Sequence, residues 1–298
     1  MINETYKAML KGKSIIRELS EYATARGKEI GYENVFDYSL GNPSVPCTED
    51  YTDTVIAMYQ NMNPMEIHGY SPSLGIESVR AAVAESLNRR FDMDYEAKHI
   101  FMASGAAGAL AHAFRAVTKP GDEIITFAPC FPEYFPYVNT TGAVLKVVPA
   151  NTEDFQINFE EFEKMLNPKV MAVLINTPNN PSGIVYSEKT IKRLAGILEA
   201  KQKEYGHDIF IISDEPYREI VFDGKKCPYV SSYYDNSISC YSFSKSLSLP
   251  GERIGYVAVN PKATDADIFA VICGQISRGI GHNCPSSTAQ LAVAEVID

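Results

Sequence analysis

The chain has 298 residues, of which 45% are hydrophobic and 21% charged, values typical of globular proteins and not of disordered ones. Its 37 acidic and 27 basic side chains give a net charge of −10, which disfavours binding to the phosphate backbone of nucleic acids. The length fits one large domain, or a large domain together with a small one.

No targeting or membrane-spanning signal is evident in the sequence. Residues 1–7 are not followed by the apolar core of a signal peptide, and no apolar run reaches the roughly 18 residues that a membrane span needs. The six cysteines are scattered without a Cys-x-x-Cys pair, which disfavours a zinc site or a disulfide framework. We therefore expect a cytoplasmic protein with reduced thiols that binds neither membrane nor nucleic acid and holds no metal.

The first part of the chain is predicted to be helical and irregular. A helix is expected over residues 14–27, followed by a loop that contains Gly-Asn-Pro at 41–43. Farther along, Ile76, Val79, Val83 and Leu87 are spaced by three or four residues. This spacing places apolar side chains on one helix face and predicts a helix that ends near Phe91.

From about residue 97 to residue 260, short apolar runs alternate with helical patterns. The predicted strands are 100–103, 123–128, 143–148, 170–175, 208–212, 237–241 and 255–259. Several of these runs are continuously apolar, as expected of strands that are covered on both faces of a largely parallel sheet. A helix through Ile191 and Leu194 follows Ser187, a candidate N-cap, and an amphipathic helix is expected over 286–298. The alternation predicts an α/β sandwich.

Polar side chains follow several of the predicted strands. Asn180 comes after the fourth strand, Asp214 and Tyr217 after the fifth, and Lys245 and Arg253 after the sixth. Each has an ordinary explanation by itself, such as a turn, a helix cap or a solvated lysine. Because ligands of such sheets bind beyond the carboxyl ends of the strands, the five together predict one convergent site.

These motifs resemble those of a known family. Asn-x-Pro-x-Asn-Pro-x-Gly at 176–183, Asp-Glu-x-Tyr at 214–217 and Ser-x-Ser-Lys at 242–245, with an arginine eight residues later, resemble the class I/II aminotransferases. These aspartate-aminotransferase-like enzymes have the fold type I of enzymes that use pyridoxal 5'-phosphate (PLP). The resemblance covers essentially the whole chain, including residues 41–43, 68–72 and 104–110.

The resemblance implies a fold, a cofactor and a reaction. The implied fold is a mostly parallel mixed sheet flanked by helices, an α/β/α sandwich, with part of a smaller α+β domain. PLP is the implied cofactor. The implied activity is a ping-pong exchange of an amino group between an L-amino acid and a 2-oxo acid, through Schiff bases.

By the same resemblance, four residues would act on the ring and on the reacting atoms. Lys245 would hold PLP as a Schiff base and carry the proton, which requires a pKa below that of a solvated lysine. Asp214 would keep the pyridine nitrogen protonated, so that the ring can accept electrons. Asn180 and Tyr217 would form hydrogen bonds with the phenolate oxygen of the ring.

The phosphate of PLP would be held by side-chain donors and by the start of a helix. An arginine offers a bidentate fork, serines offer hydroxyl groups, and the free N–H groups of a first helical turn suit an anion. The residues concerned are Arg253, Ser242 and Ser244, and Gly105, Ala106 and Ala107 at the helix start.

The remaining implied contacts involve the ring face, the substrate and a second subunit. Phe131 matches an aromatic residue that stacks on the pyridine ring, although plain core packing also explains it. Gly41 and Asn180 match positions that line the substrate carboxylate site. Tyr70 matches a catalytic tyrosine that reaches the active site of the neighbouring subunit, so a homodimer is implied.

The resemblance also predicts a division of the chain. Residues 1–40 would form an N-terminal helix and loop of the small domain or interface, and 41–285 the large PLP-binding domain. Residues 286–298 would begin the helix leading to a C-terminal small domain that the sequence does not contain. In relatives that domain supplies the arginine that binds the substrate α-carboxylate, and no residue here is assigned this role.

Two other functions remain open at this level. Another PLP reaction on the same fold, such as a carbon–sulfur lyase or a decarboxylase, would share the cofactor residues. A non-catalytic regulatory module would usually carry a DNA-binding helix-turn-helix ahead of this fold, and only about forty residues precede the predicted sheet region. The acidic charge also disfavours that function. The sequence does not identify the amino donor or the acceptor.

Overall fold

The computed structural model describes residues 2–10 and 15–297 of the chain. Ser14, the predicted start of the first long helix, and Asp298, the predicted end of the last, lie outside the described residues. Within them, no helix combines the length and the hydrophobicity that crossing a membrane requires.

Helices occur along the whole of the described chain. The α-helices are α1 Glu4–Met9, α2 Ile15–Ile30, α3 Glu49–Asn61, α4 Pro64–His68, α5 Glu77–Phe91, α6 Gly105–Val117, α7 Tyr134–Asn139, α8 Phe159–Met165, α9 Glu188–Tyr205, α10 Phe243–Ser246, α11 Ala266–Ile280 and α12 Ser287–Glu295. Short 3-10 turns cover Tyr32–Asn34, Ala97–His99 and Val230–Ser232.

Strands of the described residues form one mixed sheet. They are β1 Ile100–Ala103, β2 Glu123–Phe127, β3 Val144–Val148, β4 Val170–Asn176, β5 Phe210–Asp214, β6 Ser237–Ser242 and β7 Gly255–Val259. Their order is β1-β7-β6-β5-β4-β2-β3. Strand β7 runs antiparallel to both of its neighbours, and the remaining pairs are parallel. The predicted mostly parallel mixed sheet is confirmed.

Strands β1 and β7 have the predicted bounds, and strands β2, β3, β4 and β6 differ from theirs by one residue at one end. Strand β5 and helices α2 and α12 differ by more. β5 begins and ends two residues later than expected, because its backbone pairs with β4 from Phe210 as far as Asp214. Helix α2 continues to Ile30, and α12 ends at Glu295, short of the predicted end. An apolar run reports burial of side chains, whereas the end of a strand or helix is set by backbone hydrogen bonds.

Alternate side chains of the strands bury against different helices. Ile124 and Leu174 pack in a cluster with α6 and α11, whereas their neighbours Ile125 and Val173 pack in another with α8 and α9. A third cluster joins α3, α5 and α12 to β1 and β7. Because successive side chains of a strand point to opposite faces, the sheet is covered on both sides. The predicted α/β/α sandwich is confirmed.

Local capping fixes where α9 starts and stops. The Ser187 hydroxyl accepts a hydrogen bond from the Thr190 backbone N–H at 3.1 Å, which confirms the predicted N-cap. The helix ends at Gly206, which has a left-handed backbone with φ +72°.

The direction of β7 determines which chain segments meet at one edge of the sheet. The carboxyl ends of the other strands lie at the edge where β7 begins. Residues that follow β1, β2, β4, β5 and β6 therefore meet residues that precede β7.

Candidate active site

Asp214 ends β5 and is buried, with 5% of its surface exposed. Its Oδ2 accepts a hydrogen bond of 2.5 Å from the Tyr134 hydroxyl. Its Oδ1 is buried and has no hydrogen-bond partner among the described residues. Burial raises the pKa of Asp214 to about 7, although the bond from Tyr134 acts in the opposite direction. A cationic N–H donor placed against Oδ1 would satisfy this oxygen and favour the ionised carboxylate.

The ends of β4 and β5 are tied together by asparagine side chains. Asn176 donates from Nδ2 to the Asp214 carbonyl at 2.8 Å, and its Oδ1 accepts from the Asn180 backbone N–H at 2.6 Å. Asn180 in turn donates from Nδ2 to the Tyr217 hydroxyl at 3.3 Å. Burial, and then the charge of Asp214, raise the pKa of Tyr217, which therefore stays a phenol and can donate a hydrogen bond.

Lys245 lies in the short helix α10, directly after β6. Ser242 caps this helix by accepting from the Ser244 backbone N–H at 3.1 Å, and the two serine hydroxyls are 2.7 Å apart. The Lys245 amine donates to the Gly41 carbonyl, which brings the N-terminal loop to the site. Burial, and then the positive charge of Arg253, lower the pKa of Lys245. The site thus makes the neutral amine more accessible than it is in a solvated lysine.

Arg253 precedes β7 and lies against the start of α6. Its guanidinium donates to the Pro250 carbonyl at 3.1 Å and to the Ser104 carbonyl at 3.4 Å. Gly105 has φ +71°, and a Cβ at this position would lie 3.0 Å from Arg253 Nη2. A guanidinium and the free N–H groups of a first helical turn therefore adjoin, an arrangement suited to an anion such as a phosphate. Ala106 and Ala107 lie in that turn and are half-buried.

Backbones approach each other closely behind this anion site. A Cβ at Gly255 would overlap the Tyr241 carbonyl oxygen and lie 3.0 Å from Gly105 Cα. We therefore expect Gly255→Ala to lower the free energy of unfolding by at least about 2 kcal/mol, since the backbone must move. Urea unfolding of this variant beside Gly251→Ala provides the measurement, because a Cβ at Gly251 has no atom within 4 Å. Equal losses in the two variants would contradict the prediction.

Phe131 and Tyr134 line the site beyond β2. Phe131 is half-buried, and its ring lies 5.6 Å from that of Tyr134 at an interplanar angle of 82°. Since Tyr134 is bonded to Asp214, the Phe131 ring lies near the buried carboxylate. Phe131 thus lies close to other candidate site residues, and its stacking on a cofactor ring stays a prediction.

Tyr70 is different. It lies in the chain segment that connects α4 and α5, and its side chain is fully exposed, at 105% of the reference area, so it does not pack against Lys245 or Asp214 in the single chain. The other predicted site residues follow β1, β2, β4, β5 and β6, precede β7, or lie in the loop at Gly41.

Two functional candidates were missed in the sequence. Tyr134 holds Asp214, and Asn176 links the ends of β4 and β5. Asn176 begins the Asn-x-Pro-x-Asn-Pro-x-Gly motif and ends β4, so its position in the sequence is an available signal. Tyr134 had no comparable signal, because its contact with Asp214 depends on how α7 packs over the sheet.

The sequence of the chain is similar to those of aminotransferases. The family model "Aminotransferase class I and II" matches residues 35–298. An aspartate aminotransferase of Thermotoga maritima is 30% identical over 271 residues, which are 89% of this chain and 67% of that protein. A probable N-acetyl-LL-diaminopimelate aminotransferase of Bacillus subtilis is 31% identical over 89% of this chain and 64% of its own length. The chain thus spans about two thirds of the length of these relatives.

Solved structures show the same architecture. An amino transferase of Eubacterium rectale superposes with a TM-score of 0.94 at 46% identity, over 99% of this chain and 75% of that one. The Thermotoga maritima aspartate aminotransferase superposes with a TM-score of 0.83 at 29% identity, over 95% and 72% of the two chains. The sheet order, the polar strand ends and the match over residues 35–298 agree, and the chain belongs to the class I and II aminotransferase family.

Proposed function

We propose that the chain binds PLP and exchanges an amino group between an L-amino acid and a 2-oxo acid. The observation that carries this proposal is the buried Asp214 Oδ1, which has no hydrogen-bond partner in the described part of the chain and lies at the same sheet edge as Lys245 and Arg253. A buried polar atom is normally hydrogen-bonded, so an unsatisfied carboxylate oxygen favours a bound cationic N–H group. A protonated pyridine nitrogen is such a group.

The residues at this edge fit PLP. When bound, PLP supplies a ring that accepts electrons from the α-carbon of an amino acid. Asp214 would hold the proton on the ring nitrogen, Asn180 and Tyr217 would donate to the phenolate oxygen, and Phe131 would cover one ring face. The phosphate would be held by Arg253, by the hydroxyls of Ser242 and Ser244, and by the backbone N–H groups of Gly105, Ala106 and Ala107.

Lys245 would attach the cofactor and move the proton. Its lowered pKa makes the neutral amine more accessible, and this is the form that attacks a carbonyl and accepts a proton. The Gly41 carbonyl accepts a hydrogen bond from this amine and so orients it. We propose that Gly41 and Asn180 also line the place of the substrate carboxylate.

A homodimer is part of the proposal. The fully exposed Tyr70 is available to a second copy of the chain, whose active site it would enter as a catalytic residue. The large domain over 41–285 would contain every proposed cofactor residue, with 1–40 and 286–298 as parts of the smaller domain and its connecting helix. A cytoplasmic location and the absence of nucleic-acid partners stay predictions.

The cofactor assignment is tested by chemical trapping. We expect the purified protein with PLP to absorb visible light, and borohydride to fix the cofactor to the peptide that contains Lys245. Peptide mass spectrometry before and after reduction gives the position of the label. Label on another lysine would overturn the assignment of Lys245.

The reaction is tested by a donor screen with 2-oxoglutarate as acceptor. An aminotransferase transfers one amino group for each donor consumed, so donor loss and glutamate formation are expected to be equal. A carbon–sulfur lyase or a decarboxylase would instead release sulfide or carbon dioxide without stoichiometric glutamate. The donor that bleaches the cofactor absorbance fastest would identify the substrate class.

A further inference from the structure

A connected group of polar side chains lies beside the candidate site without being part of it. We call it the rear network, and it consists of Glu215, Arg218, Glu219, Tyr241 and Ser246. Four of its members are sequence neighbours of proposed cofactor residues: Glu215 follows Asp214, Arg218 follows Tyr217, Tyr241 precedes Ser242, and Ser246 follows Lys245. The network therefore contacts the same backbone segments that present the cofactor residues.

Arg218 forms the inner part of the rear network. Its side chain is 3% exposed, and it donates to Glu215 Oε2 at 2.6 Å, to Glu219 Oε1 at 3.2 Å and to the Tyr256 hydroxyl at 3.0 Å. Its guanidinium lies 4.5 Å from the centre of the Tyr241 ring. A buried charge with this many partners holds the turn after β5 in one position, because losing a partner would leave the charge uncompensated.

Glu219 and Tyr241 extend the rear network to the helix that carries Lys245. The Tyr241 hydroxyl lies 2.9 Å from Glu219 Oε2 and 2.8 Å from Ser246 Oγ. Burial acts to raise the pKa of Glu219, but Arg218 and Arg90 outweigh it and lower this pKa. The ionised carboxylate can only accept, so Tyr241 donates to Glu219 and accepts from Ser246.

The path from Arg218 through Glu219 and Tyr241 to Ser246 joins two segments that are far apart in sequence. One segment presents Tyr217 and the other Lys245. Reacting groups must be held within about 0.5 Å of their working positions, which requires support behind them. Neighbouring side chains of a strand point to opposite faces of the sheet. Ser242 faces the candidate site, so Tyr241, the residue before it, lies on the other face and supports the end of β6 from behind.

We propose that the rear network is a positioning device, in which the Tyr241 hydroxyl sets the place of Lys245 relative to Tyr217. Tyr241 acts through Ser246 and Glu219 and does not itself touch the cofactor. This inference rests on the proposed function, since it concerns how the same site holds PLP.

Tyr241→Phe tests the inference, because it removes one hydroxyl and leaves the ring, stacked 5.0 Å from Tyr256, in place. We expect the dissociation constant for PLP to rise about tenfold, by analogy with metal sites, where removing the hydrogen-bond partner of a ligand weakens binding by at least this factor. We also expect a shift in the pH midpoint of the visible absorbance of the bound cofactor. Equilibrium dialysis and a spectroscopic pH titration measure the two effects.

Tyr234→Phe is the matched control. Tyr234 and Tyr241 are equally buried, each 3% exposed, and Tyr234 donates to the Ile209 carbonyl at 2.7 Å near the opposite edge of the sheet. We expect this variant to lose similar stability in urea while its PLP affinity and pH midpoint stay unchanged. A purely structural role of Tyr241 would make the two variants alike in all three measurements and would overturn the inference.

A second variant tests the same contact from its other end. We expect Ser246→Ala to weaken PLP binding, because it removes the contact between Ser246 and Tyr241. We expect the double variant to bind PLP no more weakly than Tyr241→Phe alone, since Tyr241→Phe already removes this contact together with the one to Glu219. Additive losses would overturn the path through Ser246. Failure of the unaltered chain to bind PLP would overturn the proposed function and this inference with it. Normal binding with unchanged variants would overturn the inference alone.

Discussion

Replacing Asp214 with asparagine is expected to lower the rate of amino transfer by about a thousandfold or more. Asparagine has nearly the same shape but no charge, so it cannot hold a proton on the nitrogen of a pyridine ring. Removal of one preorganised electrostatic contact at a reacting centre has effects of this size, and here the contact is a full charge in a buried place. Single-turnover kinetics with a saturating donor measure the chemical step directly.

Asp122→Asn is a matched control for this variant. Asp122 is also a buried carboxylate, 8% exposed, but it lies before β2 at the opposite edge and accepts from the Lys119 backbone N–H at 2.8 Å. We expect Asp122→Asn to cost stability and leave the rate per bound cofactor unchanged. A wild-type rate in Asp214→Asn would contradict the proposed role of Asp214.

Asp214→Asn, which is expected to lower the rate of amino transfer, is expected to stabilise the cofactor-free fold above neutral pH. The folded-state pKa of Asp214, about 7, lies above the ordinary value of 3.8, so the fold opposes ionisation of this carboxyl. The contribution of the Asp214 carboxyl to the free energy of unfolding therefore falls as pH rises from about 4 through 7, by up to about 4 kcal/mol. Asp214→Asn removes this fall and is expected to be the more stable protein at pH 8. Urea unfolding of both proteins at pH 4.5 and pH 8 measures it, and an identical pH dependence would refute the explanation.

Replacing Lys245 with arginine is expected to reduce amino transfer at least about a thousandfold, because one side chain both attaches the cofactor and moves the proton. Arginine keeps the positive charge but stays protonated, so it can do neither. Bound PLP is expected to remain detectable, since the phosphate and ring contacts are intact. Cofactor content and donor half-reaction rate, measured on one preparation, separate binding from chemistry.

Arg253→Gln tests the electrostatic part of the Lys245 assignment without touching the lysine. Removing the neighbouring positive charge is expected to raise the pKa of Lys245 towards its ordinary value. In the cofactor-free protein, the pH dependence of amine modification at Lys245 then moves to higher pH. The exposed Lys225, modified in the same sample, gives the reference. An unmoved profile for Lys245 would show that Arg253 does not influence it.

Most of the fold could be predicted because burial on both faces makes the strands continuously apolar. The one displaced strand, β5, shows the limit of this signal. Its last two residues, Ser213 and Asp214, are polar but pair with Ser239 and Cys240 of β6. Their backbone bonds extend the strand where the apolar pattern has already ended.

The candidate site was predictable where a residue lies next to a strand end. Asp214 ends β5, Lys245 lies in the short helix after β6, and Arg253 closely precedes β7, which runs in the opposite direction. Tyr134 and the rear network were not predictable in this way. Tyr134 and Asp214 are 80 positions apart, and Tyr241 and Glu219 of the rear network are 22 apart, so these contacts depend on how helices and turns pack on the finished sheet.

The direction of the strands also leaves the sheet edge opposite the candidate site available for insertions. The amino ends of β2, β4, β5 and β6 lie at the edge away from the candidate site, where the connections are short turns. At Gly206, in the turn before β5, an added Cβ would meet no atom of the residues that the structure describes within 4 Å. A reporter peptide spliced into this turn would stand clear of the reacting groups, so the far edge is where the chain can be tagged, immobilised or lengthened during evolution.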